Sequence, residues 1–243
     1  MIMRFSNNHH NLDEPLPRGV FGFLINEAAV IDKVTVGIWG TPRTRPQTSV
    51  CIESNFAIAS EGGMYARSIH GNSCTTRTPF ELKYGKLWNY RKLPPFRLSL
   101  RSDKAPVTGA QVLSVANALF RKSFTSYVSG VEMAFDLDVI EIPSLIRGLW
   151  TRARTRTDFR DREGRRTIYL GTPWAAWQNR IYQKADRIIR VEYVFRLPFL
   201  QTRRIREPQD VIRLGQIRLG KLVRFSDPAI RKILHDMAQR LIW

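Results

Sequence analysis

Residues 128–138 read VSGVEMAFDLD, and their alternation decides the fold class. Val131, Met133, Phe135 and Leu137 point one way, while Glu132, Ala134, Asp136 and Asp138 point the other, the period-2 pattern of a strand with one buried face. The acids therefore share a face. Three further extended segments follow an arginine-rich connection: TIYLG (167–171), NRIYQK (179–184) and RIIRVEYVFR (187–196). They contribute Tyr169, Arg180, Tyr182, Lys184, Arg190 and Glu192, whereas Tyr193 is expected in the core with Val191 and Phe195.

Upstream, IDKVTVGIW (31–39), the stretches at 49–60 and 64–70, FELKYGKLWNY (80–90) and FRLSLRS (96–102) alternate in the same way and read as strands. Phe96, Leu98 and Leu100 face the core; Arg97, Ser99 and Arg101 face away and form a candidate wall of a nucleic-acid groove. The period changes after Thr108, an N-cap, where Val112, Val115, Ala116 and Leu119 follow helical spacing. IPSLIRGLWTR (142–152), with Pro143 near its start, is expected to be a second helix. Asp227 and Pro228 open a terminal helix with Ile230, Ile233, Leu234, Met237 and Leu241 on one stripe. The expected class is α+β: a mixed, largely antiparallel sheet with helices packed on one face and a basic helical C-terminal segment. Residues 1–28 read as a flexible arm, 29–200 as the nucleic-acid-binding domain and 201–243 as the extension.

The chain has 243 residues, 39 Lys and Arg against 21 Asp and Glu, and a formal charge of +18. Such a field attracts polyanions, because each phosphate neutralised releases condensed counterions. Nucleic acid is the expected partner; a ribosomal or other structural RNA-binding role is the plain alternative, and a capsid or packaging role rests only on charge and sheet content. Cys51 and Cys74 are the only cysteines, too few for a disulfide-stapled scaffold or a cysteine-rich zinc site. With a polar start and no apolar run of membrane-spanning length, a soluble protein of the reducing cytoplasm, without a membrane partner, is expected.

Residues 147–166 contain eight arginines. They read either as a solvated mobile loop or as a phosphate clamp formed by Arg152, Arg154, Arg156, Arg160, Arg165 and Arg166, since guanidinium forks onto phosphate oxygens. Glu132, Asp136 and Asp138, with Glu192 from a neighbouring strand, are hard-oxygen ligands for a divalent metal on a phosphodiester, or acids neutralised by arginine. Tyr182 has Arg180 and Lys184 two positions either side on its own face. Cations there favour the phenolate and hold a phosphate beside it, as a tyrosine nucleophile requires; amphipathic packing is the alternative, and Tyr169 is the rival tyrosine. No GxxxxGKS/T, GxGxxG, HExxH or CxxC motif is present, which leaves nucleotide hydrolysis, dinucleotide redox and zinc chemistry unsupported.

The order of these segments resembles the trans-acting plasmid rolling-circle replication initiators and the related relaxases of conjugative elements. That family shows R-x-D/E-x-A-x-D, then T-x-Y-x-G-S, then R-x-Y-x-K, then R-x-E. Matching positions here are Glu132, Ala134 and Asp136; Thr167, Tyr169 and Gly171; Arg180, Tyr182 and Lys184; and Arg190 with Glu192. The resemblance implies a sequence-specific nickase, commonly dimeric, with Tyr182 as nucleophile assisted by Arg180 and Lys184. It further implies Glu132, Asp136 and Glu192 as ligands of Mg²⁺ or Mn²⁺, and a free 3′ hydroxyl that primes replication. Gly130 replaces a basic residue, and Gly171 is followed by Thr-Pro-Trp in place of serine. A divergent or domesticated member that binds DNA or RNA without cutting is the alternative, with Trp174 and Trp177 as stacking platforms.

Overall fold

A computed structural model describes residues 27–58, 65–86, 93–103, 105–138, 142–185 and 187–243; most of the expected N-terminal arm lies outside these residues. Ten strands form one sheet, ordered β2-β3-β4-β5-β1-β6-β11-β10-β9-β8. They are β1 (Val30–Trp39), β2 (Val50–Ile58), β3 (Tyr65–Ser73), β4 (Pro79–Lys86), β5 (Phe96–Arg101), β6 (Thr125–Asp138), β8 (Arg156–Arg160), β9 (Arg166–Leu170), β10 (Trp177–Ala185) and β11 (Ile188–Arg196). The class is α+β, as the alternation of the strands and the two capped helices foretell. The chain divides into two compact units, one built mainly of Met133–Phe195 and Arg213–Ile242, the other of Ile31–Glu132 and Arg196–Ile212.

In the second unit β2, β3, β4, β5 and β1 pair antiparallel in succession, with Thr35 opposite Ser99 and Gly37 opposite Arg97. Leu98 and Leu100 are fully buried and Arg101 is exposed, so β5 has the expected orientation. Helix α1 (Gly109–Leu119) carries a complete capping box: Thr108 accepts from the Gln111 N–H, and Gln111 accepts from the Thr108 N–H.

In the first unit β11 pairs with β10, β10 with β9, and β9 with β8, all antiparallel. Ile168, Leu170, Ile181, Val191, Tyr193 and Phe195 form its core. Helix α3 (Pro228–Gln239) starts where expected, with the Asp227 carboxylate accepting from the Ala229 N–H.

Two expectations change. The helix expected over 142–152 is only α2 (Ile142–Ile146), because Gly148 takes a left-handed φ of 66° and turns the chain. Trp150–Thr151 then forms β7, paired with β12 (Val223–Arg224). The second half of the arginine run, from Arg156, forms the hairpin β8–β9, while Arg147, Arg152 and Arg154 precede it. Its tip closes on Asp161, whose carboxylate accepts from the Glu163 and Arg165 N–H groups, with Gly164 at a φ of 80°.

Candidate active site

The pairing of β8 to β11 sets two rows of side chains across one face. Thr157, Tyr169, Arg180 and Glu192 are successive direct partners, and so are Phe159, Thr167, Tyr182 and Arg190. Directly opposed residues in an antiparallel pair project to the same side. Tyr182 and its rival Tyr169 thus share this face. The tyrosine is half-buried and outside the apolar core, since Ile181 and Ile168 occupy the reverse side.

Tyr182 Oη donates to Glu192 Oε2 at 3.1 Å, and the Arg180 guanidinium donates to Glu192 Oε1 at 2.9 Å. The Glu192 side chain is 3% exposed, so its charge is held in a poorly solvated place by a cation and a phenol. The backbone carbonyl of Glu192 accepts from the Asn179 amide at 3.0 Å, which fixes β11 against β10 from the reverse side. A nucleophile on a carboxylate that a third group orients is the arrangement shared by activated hydroxyl nucleophiles.

Beside it, Asp136 on β6 receives Arg190 through Nε at 2.6 Å and a terminal nitrogen at 2.9 Å, and Lys184 at 2.8 Å. Burial works against the Asp136 charge, but these cation hydrogen bonds outweigh it and hold the carboxyl below its usual range. Asp136, Arg190 and Glu192 are all buried. Asp138 lies 3.4 Å from the exposed Arg187.

This donor set does not fit a divalent ion as arranged. Both oxygens of Asp136 are engaged by cations, both oxygens of Glu192 accept hydrogen bonds, and no group of three His, Cys, Asp or Glu suited to a metal occurs among the described residues. Glu132, the third expected ligand, belongs to the other unit, where it lies 3.6 Å from Lys33. The carboxylates are balanced by guanidinium and ammonium groups, the arginine-neutralised alternative of the sequence.

The expected phosphate clamp is dispersed. Arg156, Arg160 and Arg166 pair in register with Leu170 and each other on the side of Ile168, away from Tyr182. Arg166 is bound to Asp158, whose carboxyl it holds below the usual range, and Arg165 to Asp161 and Glu163. Arg152 and Arg154 are exposed ahead of β8, while Arg97 and Arg101 lie on β5 in the other unit. Trp174 stands 88% exposed in the turn before β10; Trp177 opposes Phe195 on the core side. Gly171 has a φ of 94°, a left-handed conformation that favours glycine, and its carbonyl accepts from the Gln178 side chain at 3.0 Å.

Phe159, 54% exposed and in the Tyr182 row, is a further candidate site residue that no sequence motif singles out. The alternation RTDFR contains the signal, hidden by the arginines around it. The sequence matches no protein-family model and no curated protein.

Proposed function

We propose that this chain binds a DNA strand on the Tyr182 face of β8–β11 and joins it covalently to Tyr182. The observation that carries this is the Tyr182–Glu192 hydrogen bond of 3.1 Å, with Arg180 on the second carboxylate oxygen. Glu192 takes the phenolic proton as Tyr182 Oη bonds to phosphorus. The P–O3′ bond breaks, the proton held on Glu192 passes through water to the 3′ oxygen, which leaves as a hydroxyl, and the 5′ phosphate stays on the tyrosine. Arg180, Arg190 and Lys184 place positive charge beside the equatorial oxygens, where charge develops. The exposed ring of Phe159 supplies a stacking surface for a base in the same row. Charge of +18 brings the strand in. A primer role for the free hydroxyl and a homodimer rest on the resemblance alone; a cytoplasmic setting rests on the low cysteine count, and the Cys51–Cys74 disulfide stands against it.

Single-stranded DNA pools incubated with the protein, with and without Mn²⁺, give a covalent protein–DNA adduct that Tyr182→Phe lacks. A second reading, binding without cutting, is favoured by the neutralisation of both Asp136 and Glu192. Under it, wild type and Tyr182→Phe retain DNA equally and neither forms an adduct.

A further inference from the structure

Trp174, in the turn between β9 and β10, is the most exposed large apolar side chain among the described residues. A lone exposed apolar residue needs no explanation by itself. Here, however, the backbone beneath it is fixed and the charge beside it is uncompensated. The Ala175 N–H donates to the Thr172 carbonyl at 3.1 Å, the Gly171 N–H to the Thr155 carbonyl at 2.8 Å, and the Gln178 amide to the Gly171 carbonyl at 3.0 Å. Pro173, at the second position of the turn, restricts its own φ. The indole is thus presented on a rigid backbone, so little freedom is lost when a partner covers it.

The bond to Thr155 lays residues 154–156 alongside the turn. Arg154 and Arg156 are exposed, and neither 152–157 nor 171–178 contains an acid. Arg154 has no ion pair among the described residues, whereas Arg165 and Arg166, further along the β8–β9 hairpin, are bound to Asp161 and Asp158. A flat ring beside a free guanidinium suits a partner that carries both a flat face and a phosphate. Thr172, Pro173, Ala175 and Ala176 surround the ring with small groups. The turn therefore lacks the broad apolar face with which a surface element enters a membrane, and offers one ring for one base.

We propose that the β9–β10 turn is a second contact for the nucleic-acid strand, with a base stacked on Trp174 and a backbone phosphate on Arg154. Tyr182 and the turn both belong to the first unit, and Tyr182 follows Trp177, the first residue of β10, by a rise of roughly 17 Å. A strand held at both places runs along the hairpin. The turn then sets which phosphate meets the Tyr182 hydroxyl, a consequence that rests on the strand-transfer reading above; the binding itself does not.

Fluorescence anisotropy of a labelled single-stranded DNA pool tests the contact. Trp174→Ala weakens binding about tenfold, with Trp174→Phe between it and wild type. Because the side chain is exposed, Trp174→Ala melts with the wild type. Arg154→Ala reduces the slope of log affinity against log salt by about 0.7, as loss of one phosphate contact requires, while Trp174→Ala leaves the slope unchanged. Irradiating the complex with a pool that contains 5-bromouracil joins the strand at Trp174, read by fragmentation of the 167–180 peptide. Equal affinity of wild type and Trp174→Ala, or no binding by either, overturns the proposal, as does a crosslink confined to other residues. Capture by phosphatidylserine vesicles that Trp174→Ala abolishes, with DNA affinity unchanged, assigns the turn to a membrane and equally overturns it. The two proposals fail separately: a Tyr182 adduct with full DNA affinity in Trp174→Ala removes only the turn, and Trp174-dependent affinity without an adduct removes only the strand transfer.

Discussion

On β6, β10 and β11 of the first unit, the carboxylates of the polar face are buried and closely paired, with Arg190 at 2.6 Å from Asp136 and Arg180 at 2.9 Å from Glu192. On the β-sheet of the second unit the carboxylates are more exposed and their ion pairs looser: Lys33 lies 3.6 Å from Glu132, and Lys83 lies 3.2 Å from Glu81. The same residue types and the same alternation thus give two different electrostatic surfaces. Where partners meet in poor solvation, each charge depends on its partner, and geometry is fixed; where water screens them, the pairs add little and stay adaptable. Reactive chemistry needs the first kind of surface, and general attraction of a polyanion needs only the second.

The contrast is broken most strongly at Arg190. Arg190→Ala removes both guanidinium bonds from buried Asp136, and urea unfolding should register a loss of about 3–5 kcal/mol. Lys33→Ala, its counterpart on the looser face, should change stability by about 0–1 kcal/mol. Equal losses at the two sites would remove the distinction.

Another large effect belongs to the second unit. Cys51 on β2 and Cys74 just after β3 form a disulfide across a separation of 23 residues. Closing a loop of that size contributes about 2–4 kcal/mol, so Cys51→Ser, or reduction in wild type, should lower the unfolding midpoint accordingly. Two cysteines exclude a stapled scaffold but not a single staple. Val50 opposite Ser73 in the hairpin register brings the pair together, a fact of pairing that composition does not contain.

Acid sharpens the comparison further. Asp136 and Asp158 both titrate below the ordinary carboxylate range in the folded protein. Their contribution is therefore complete above the unfolded carboxyl pKa near 4 and is lost as pH falls from there through the lowered folded values. Denaturation midpoints followed from pH 6 to pH 2 should drop in that window. Asp136→Asn, weaker at pH 6, should lose less across it; a parallel decline would contradict the role of the Arg190 and Lys184 pairing.

Much of the fold was legible because it follows from periods and caps. Val131, Met133 and Phe135 announce the strand, Thr108 and Asp227 announce the helices, and Tyr193 is placed in the core by its neighbours. The site was legible as a set of residues on one face, but not as a set of partners. Asp136 and Arg190 are 54 positions apart, and nothing local shows that guanidinium would take both carboxylate oxygens where metal coordination was expected. The arginine run misled for a related reason. Asp158 and Asp161 neutralise Arg166 and Arg165 only once Gly164 turns the chain, so a stretch that reads as a clamp folds into an edge hairpin.

Tyr182 and Tyr169 occupy the same face, flanked by the same Arg180, and it is Tyr182 that donates to the buried Glu192, at 3.1 Å. Peptide mass mapping of the covalent DNA adduct separates them directly. The phosphodiester is expected on the peptide carrying Tyr182; its presence on Tyr169, or an adduct undiminished in Tyr182→Phe, would contradict the assignment of the nucleophile.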